Sequence, residues 1–333
     1  RRVLFRSLGN ITAGTLNIGN SSTGNITVDG ISAANSNNAT TVNLTTASAS
    51  SVSFSNNDST FNALTANGGS STSFGNGLTV TTDTGKLALN SVSLTSAGAL
   101  TLTGATGIDF GSGVTFTAGG DLTMSTTSGD IVGTGAFTLT SAGNISLAEN
   151  FTTAGATVIT ADSDGNGAGN FSNSSSTTLS TGNGALTLTA NDITLSGSIS
   201  SGTGSTTIAV SDGGTIGLGG TAGNMTISGA ELGNITAGTL NIGDSSTGNI
   251  TVDGISAANS NNAATVSLTT ASGSSVSFSN NDSTFDALTS NGGSTSFGSG
   301  LTIATDTGKL SIDSASITSA GALTLTGATG IDF

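Results

Sequence analysis

ALTLTGATGIDFGSGVTFTAGGDLTM, residues 99–124, decides how the chain is read. Its large apolar residues come in couples two apart: Leu100 and Leu102, Ile108 and Phe110, Val114 and Phe116, Leu122 and Met124. Side chains alternate across a β-strand, so each couple marks a short strand with one buried face. The couples start 8, 6 and 8 residues apart, which closes a cycle at 22. Three short strands per cycle describe one rung of a β-solenoid, and Phe137 with Leu139, then Ile145 with Leu147, carry the cycle onward. Between the couples stand TGATG, GSG and AGG, small residues that let the chain turn sharply.

The composition agrees with stacked rungs. Gly numbers 51, Pro is absent and only 7% of the 333 residues are charged. Proline would delete a backbone donor that each rung offers to the next. With 34% apolar residues and a mean hydropathy of +0.17, the chain also differs from disordered sequence, which pairs low hydrophobicity with high charge. A single rung buries too little to offset the entropy of ordering it, so stability is expected only from several rungs together. About fifteen rungs at ~4.8 Å spacing would span about 70 Å.

The phrase AGALTLTGATGIDF occurs at residues 97–110 and again at 320–333. Residues 8–110 match 232–333 almost throughout, so a unit of about 223 residues recurs: 8–231 is the first unit and 232–333 an incomplete second one. Changes between the copies are mild. Val80 becomes Ile303, Leu89 becomes Ile312, and Asn20, Asn62 and Asn90 become Asp244, Asp286 and Asp313. Both copies are therefore expected to share one structure, and 8–333 to be one continuous solenoid segment with Leu186, Leu188, Leu323 and Leu325 also in its core. Residues 1–7, RRVLFRS, match nothing at the equivalent place and are read as an assembly scar. Residues 32–40 and 161–184 break the rhythm, the first as a loop, the second as a loop or irregular rung.

GTLNIGNSSTGNITVDG (residues 14–30), SAGNISL (141–147) and AGALTLTGATGIDF are similar to the repeats of filamentous-haemagglutinin-type exoproteins, the large secreted partners of bacterial two-partner secretion systems. The resemblance covers residues 8–333. It implies a single-stranded right-handed parallel β-helix, export to the extracellular side or outer surface of a Gram-negative-type bacterium, and adhesion. The secretion domain and anchor of that family are not among these residues, so the chain is expected to be a segment of something longer.

Several chemistries are excluded or ranked low. A net charge of -14, from 19 acidic against 5 basic residues, argues against nucleic acid as a partner. Ser, Thr and Gly interrupt every apolar stretch, so no membrane span is expected. The absence of Cys excludes a disulfide framework or a thiolate metal site. The acids stand singly at turns, and there is no His, Tyr or Trp, so no general base or sugar-stacking platform is evident and no enzyme is expected. Lys86 in TDTGKL is followed by Leu87 rather than Ser or Thr, which rules out a phosphate loop and leaves a solvated turn with an Asp83–Lys86 pair. Asn-x-Ser/Thr triplets, as at Asn25 and Asn144, are expected from composition alone.

Two motifs keep an alternative open. DSDGNG, residues 162–167, resembles the start of a calcium loop, with Asp162, Asp164 and Asn166 as metal-ligand candidates and Gly167 for the turn. Asn173 stands where such a loop places its bidentate Glu, so an acidic surface loop without a cofactor is favoured. Outward Thr in TLT and TVT raises an ice-binding face, but Thr is also the ordinary polar residue of exposed strands, and the threonines read as wandering between faces among Ser, Asn and Asp. The expected function is a non-enzymatic stalk or adhesin that displays polar loops to a host-cell, glycan or matrix surface. The alternative is a self-assembling matrix or sheath filament whose partners are further copies of itself.

Overall fold

The computed structural model describes residues 5–333, with side chains from residue 8 onward. Residues 1–4 of the presumed scar lie outside the described residues, and Phe5–Asn10 forms a 3₁₀ helix. The protein is all-β, with 49% strand and 6% helix, and its parallel coils stack into a β-solenoid of about 15 turns of ~22 residues. The chain divides into two compact units, one ending at Val158 and including Thr177–Leu179, the other made of Ile159–Ser176 and Ser180–Phe333. The division falls just before and within the stretch, 161–184, whose sequence breaks the rhythm.

From Ala39 onward, each coil of the first unit contributes one strand to each of three parallel sheets. Leu87–Leu89, Ile108–Phe110, Ile131–Gly133 and Phe151–Thr153 follow one another in the first sheet. Ser93–Ser96, Val114–Ala118 and Phe137–Ser141 do so in the second. Leu78–Thr82, Leu100–Gly104, Leu122–Thr126 and Ile145–Leu147 form the third. Register places like on like: Leu78, Leu100, Leu122 and Ile145 are opposite one another, as are Leu94, Phe116 and Leu139. All are buried, together with Leu102, Ile108, Phe110 and Val114. Phe137 lies 5.0 Å from Phe110 and 5.1 Å, edge-on, from Phe151, an arrangement that aligns ring edges with ring faces.

The corners of the coil are closed by hydroxyls turned inward. Thr82 Oγ1 donates to the carbonyl of Gly85 at 2.7 Å, and Thr126 Oγ1 to that of Gly129 at 2.6 Å. Thr72 and Ser91 share a hydrogen bond of 2.7 Å inside the core, and Thr153 and Thr157 one of 2.6 Å. Every buried side-chain nitrogen and oxygen among the described residues has a partner. These polar corners thus avoid the cost of an unmade bond in a dry interior.

The second unit repeats this construction. Leu240, Val266, Leu288 and Leu310 form a buried column. Phe278 and Phe297 stack at 5.2 Å and 13°, as Phe54 and Phe74 do at 5.2 Å and 14°. Gly19 and Gly243 occupy the same corner with φ of +84° and +79°. A Cβ there would come within 2.3 Å of the carbonyl oxygen of Thr45 or Thr269, so both conformation and space demand glycine.

Three expectations change in detail. Residues 32–40 are not simply a loop: Ala33–Ser36 makes one helical turn, held to the coil by Ser36 Oγ donating to the Thr60 carbonyl at 2.9 Å, before a strand starts at Ala39. Residues 161–184 do form a rung, because Phe171–Asn173 and Thr178–Ser180 are strands with Phe171 and Leu179 buried; only 163–168 form a continuously exposed loop. Leu186 and Leu188 are buried, but Leu323 and Leu325 are half-exposed. Among the described residues Leu323 and Leu325 are paired on one side, with Leu301 and Ile303, whereas Leu100 and Leu102 are covered on both.

Excision of residues 100–121, one complete coil, brings Ala99 to Leu122, the register partner of Leu100. The shortened chain is expected to keep a β-type circular dichroism spectrum and a sharp urea transition, whereas excision of residues 100–110 should broaden or abolish the transition. Phe110→Ala is expected to destabilise the first unit by about 3–5 kcal/mol, measured from its urea midpoint; a change below about 1 kcal/mol would contradict its place in the ring cluster.

Candidate functional site

The exposed loop at 163–168 begins from Asp162, which has a φ of 59° and is 2% exposed. The chain doubles back so that the backbone N–H groups of Asn166, Gly167 and Ala168 donate to the Asp162 carboxylate at 3.0, 3.1 and 3.4 Å. Ser211 Oγ donates to its Oδ2 at 2.6 Å. Gly167, at φ +75°, supplies the tight turn that the motif led one to expect. Asp164 Oδ2 instead accepts from Asn166 Nδ2 at 2.9 Å on the surface.

The three calcium-ligand candidates are therefore set to different tasks. The Asp162 oxygens point into a nest of amide donors, which supplies the positive potential a cation would otherwise bring. Asp164 and Asn166 are hydrogen-bonded to each other outside. No group of three or more His, Cys, Asp or Glu side chains that could hold a metal occurs among the described residues. Burial alone would push the Asp162 carboxyl up, but the Ser211 hydroxyl and the three amides outweigh it and hold the group below its ordinary value.

Other carboxylates bond one coil to the next. Asp253, buried, accepts from Asn280 Nδ2 at 2.9 Å and from Asn281 through its backbone N–H at 3.1 Å and its Nδ2 at 2.7 Å. The Asn280 hydrogen bond is the main reason its carboxyl is held low. In the first unit Asp29 accepts from Asn56 and Asn57 in the same way, at 3.2 and 2.8 Å. Asp58 and Asp282 each accept from the second amide of a strand in the next coil, Thr79 and Thr302, at 2.7 Å. Asp244 replaces Asn20 without loss of function as an acceptor: Ser246 N–H donates to it at 2.8 Å, as Ser22 N–H does to Asn20. Its burial raises the carboxyl, and the hydrogen bonds from Ser246 and Thr247 more than reverse this.

Lys86 does not pair with Asp83. Its Nζ lies 2.9 Å from Asp109, and Lys309 lies 2.7 Å from Asp332. The partner stands on the neighbouring strand of the next coil, nearer than a residue of the same turn because coils are separated by only one strand spacing. Glu231 closes a capping box with Ser228 at the helix Gly229–Gly233 and also accepts from the Leu195 amide at 3.1 Å. The spacing Ser-x-x-Glu before this turn was a readable signal for it.

One open groove in the second unit is lined by Ser245, Thr269, Asn291, Asp313 and their neighbours, with no aromatic ring among them. A different display lies in the first unit, where the outward positions of the strands Ser51–Phe54, Ser71–Phe74, Ser93–Ser96, Val114–Ala118 and Phe137–Ser141, and of Leu78–Thr82, Leu100–Gly104 and Leu122–Thr126 on the next sheet, carry only Ser and Thr. No family model, curated protein or solved structure matches the chain.

Because Asp162, Asp244 and Asp253 are all held below their ordinary value, the unfolded chain binds more protons than the folded one as pH falls through about 4. Their contribution to stability is thus present above that range and lost as pH drops through the depressed values. Urea midpoints measured from about pH 6 down to about pH 2.5 are expected to fall steeply below about pH 4, and less steeply in the Asp253→Asn variant. A profile that is flat in that window would mean that these carboxylates are not hydrogen-bonded in solution.

Proposed function

We propose that the chain is a non-enzymatic segment of a secreted or surface-attached bacterial protein, a β-solenoid stalk that presents polar loops for adhesion to a host-cell, glycan or matrix surface. The observation that carries this reading is how the acidic side chains are used. Asp29, Asp58, Asp253 and Asp282 bond one coil to the next, and Asp162 fastens the base of an exposed loop. Chemistry that in an enzyme would converge on a substrate is here spent on holding coils together and a loop in place. Like residues stacked on like give a spine whose length can change by whole coils, and the resemblance of the repeats to filamentous-haemagglutinin-type exoproteins supports an extracellular setting.

Within residues 163–168 the side chains of Asp164 and Asn166 are exposed and can be altered while the amides that hold Asp162 are kept. Beads coated with the purified chain are expected to adhere to epithelial layers, matrix proteins or a glycan array above the level of uncoated beads. The double variant Asp164→Ala, Asn166→Ala should reduce that adhesion while leaving the circular dichroism spectrum unchanged. Adhesion no greater than that of uncoated beads on all three surfaces would overturn the reading.

A further inference from the structure

In the first unit, the sheet containing Ser51–Phe54, Ser71–Phe74, Ser93–Ser96, Val114–Ala118 and Phe137–Ser141 turns its apolar residues inward and hydroxyl residues outward. Down one column Ser53, Ser73, Thr95, Thr117 and Thr140 stand opposite one another in five consecutive coils. A second column, two residues earlier on each strand, brings Ser93, Thr115 and Thr138 into line. The threonines therefore do not wander on this sheet. Asn and Asp fall at the turns or on the neighbouring sheet, as Asn43 and Asp109 do. Unequal coil lengths are absorbed in the turns, so the columns emerge only once the register is known.

The chemistry of this face is narrow. It offers hydroxyls and methyls, with no charge, amide or ring at any outward strand position. Thr95, Thr115 and Thr117 are exposed, and the hydroxyls of Thr95, Thr115, Thr117, Thr138 and Thr140 make no hydrogen bond to another group among the described residues. On the adjacent sheet, by contrast, Thr103 and Ser125 bond to each other at 3.3 Å. Nucleic acid needs cationic side chains and sugar stacking needs rings, and this face has neither; its exposed aliphatic groups are Val92, just before the strand Ser93–Ser96, and Val158, on the strand beside Phe137–Ser141.

Spacing selects the remaining partner. Residues two apart on a strand are ~6.6 Å apart and adjacent coils ~4.8 Å apart, so the two columns form a nearly rectangular grid. Threonine's β-branched side chain is stiff at χ1, which keeps each hydroxyl and methyl in place. The coil spacing lies close to the shorter oxygen repeat on the prism faces of hexagonal ice, and the spacing along the strand is about a tenth shorter than the longer one. We infer that this face binds ice, its free hydroxyls anchoring water in an ice-like layer that merges with the crystal. The inference does not rest on the stalk reading.

The test is ice growth in the presence of the purified full chain, followed by nanolitre osmometry. A gap between melting and growth temperatures with faceted crystals is expected. Thr117→Lys, at the centre of the grid, should remove the gap, and Thr95→Lys on the adjacent coil serves if the first variant loses its circular dichroism signature. Thr152→Lys, on a different sheet of the same unit, should leave the gap intact. Round crystals with no gap for the unaltered chain overturn the inference. So does an unchanged gap in a folded Thr117→Lys or Thr95→Lys variant, or an equal loss in Thr152→Lys.

Discussion

A strand of three to five residues has two or three inward side chains and cannot bury itself. What makes such strands stable here is the parallel backbone bonding between coils, in which Leu100 N–H donates to the Asp121 carbonyl and Leu122 N–H to that of Asn144. Each coil's donors and acceptors are completed by its neighbours, and only then are the apolar couples held at a fixed spacing, one above another. The absence of proline, the recurrence of similar side chains in each column and the tolerance of substitutions such as Val80 by Ile303 all follow from that constraint. A residue is chosen chiefly by what lies above and below it.

The turns carry the variation that the strands forbid. Coil length differs from one register pair to the next, from Leu87 and Ile108 to Ile108 and Ile131, and the extra residues are taken up at corners. There, side-chain oxygens replace the missing ladder bonds: Asn25 accepts from Ser51 N–H and Asn249 from Ser275 N–H, at 3.0 and 2.9 Å. Asn and Asp serve alike in this role because both present an acceptor at the same reach. Asp244 keeps the acceptor role of Asn20, whereas Asn62 and Asn90 donate through Nδ2 to the Asn37 and Ala39 carbonyls and to Asn67, bonds that the carboxylates of Asp286 and Asp313 cannot make.

Much of this architecture was legible in the residues alone. Leu100, Leu102, Ile108, Phe110 and Val114 declare strands because their spacing is local, and a cycle of 22 follows from counting. Contacts made between coils were not legible. Lys86 reaches Asp109, and Asp162 reaches Ser211, 49 positions away; neither pairing can be inferred before the register is known. The calcium-like spacing of Asp162, Asp164 and Asn166 was visible, but the direction in which each oxygen points depends on how the loop closes on its own amides. The hydroxyl columns escaped notice for the same reason: they are periodic in space, whereas along the chain their intervals vary.

The inter-coil bonds lie parallel to the direction in which the coils of each unit stack. Tension applied along that direction loads them a few at a time, as in opening a zip, rather than all together in shear. A coil peeled from an end releases roughly 70–80 Å of extended chain, while the coils beneath it remain closed by their own corner hydroxyls. Such a segment would yield stepwise under flow or drag, dissipating work in coil-sized increments, and could rewind when the load falls because each exposed coil remains a template for the next.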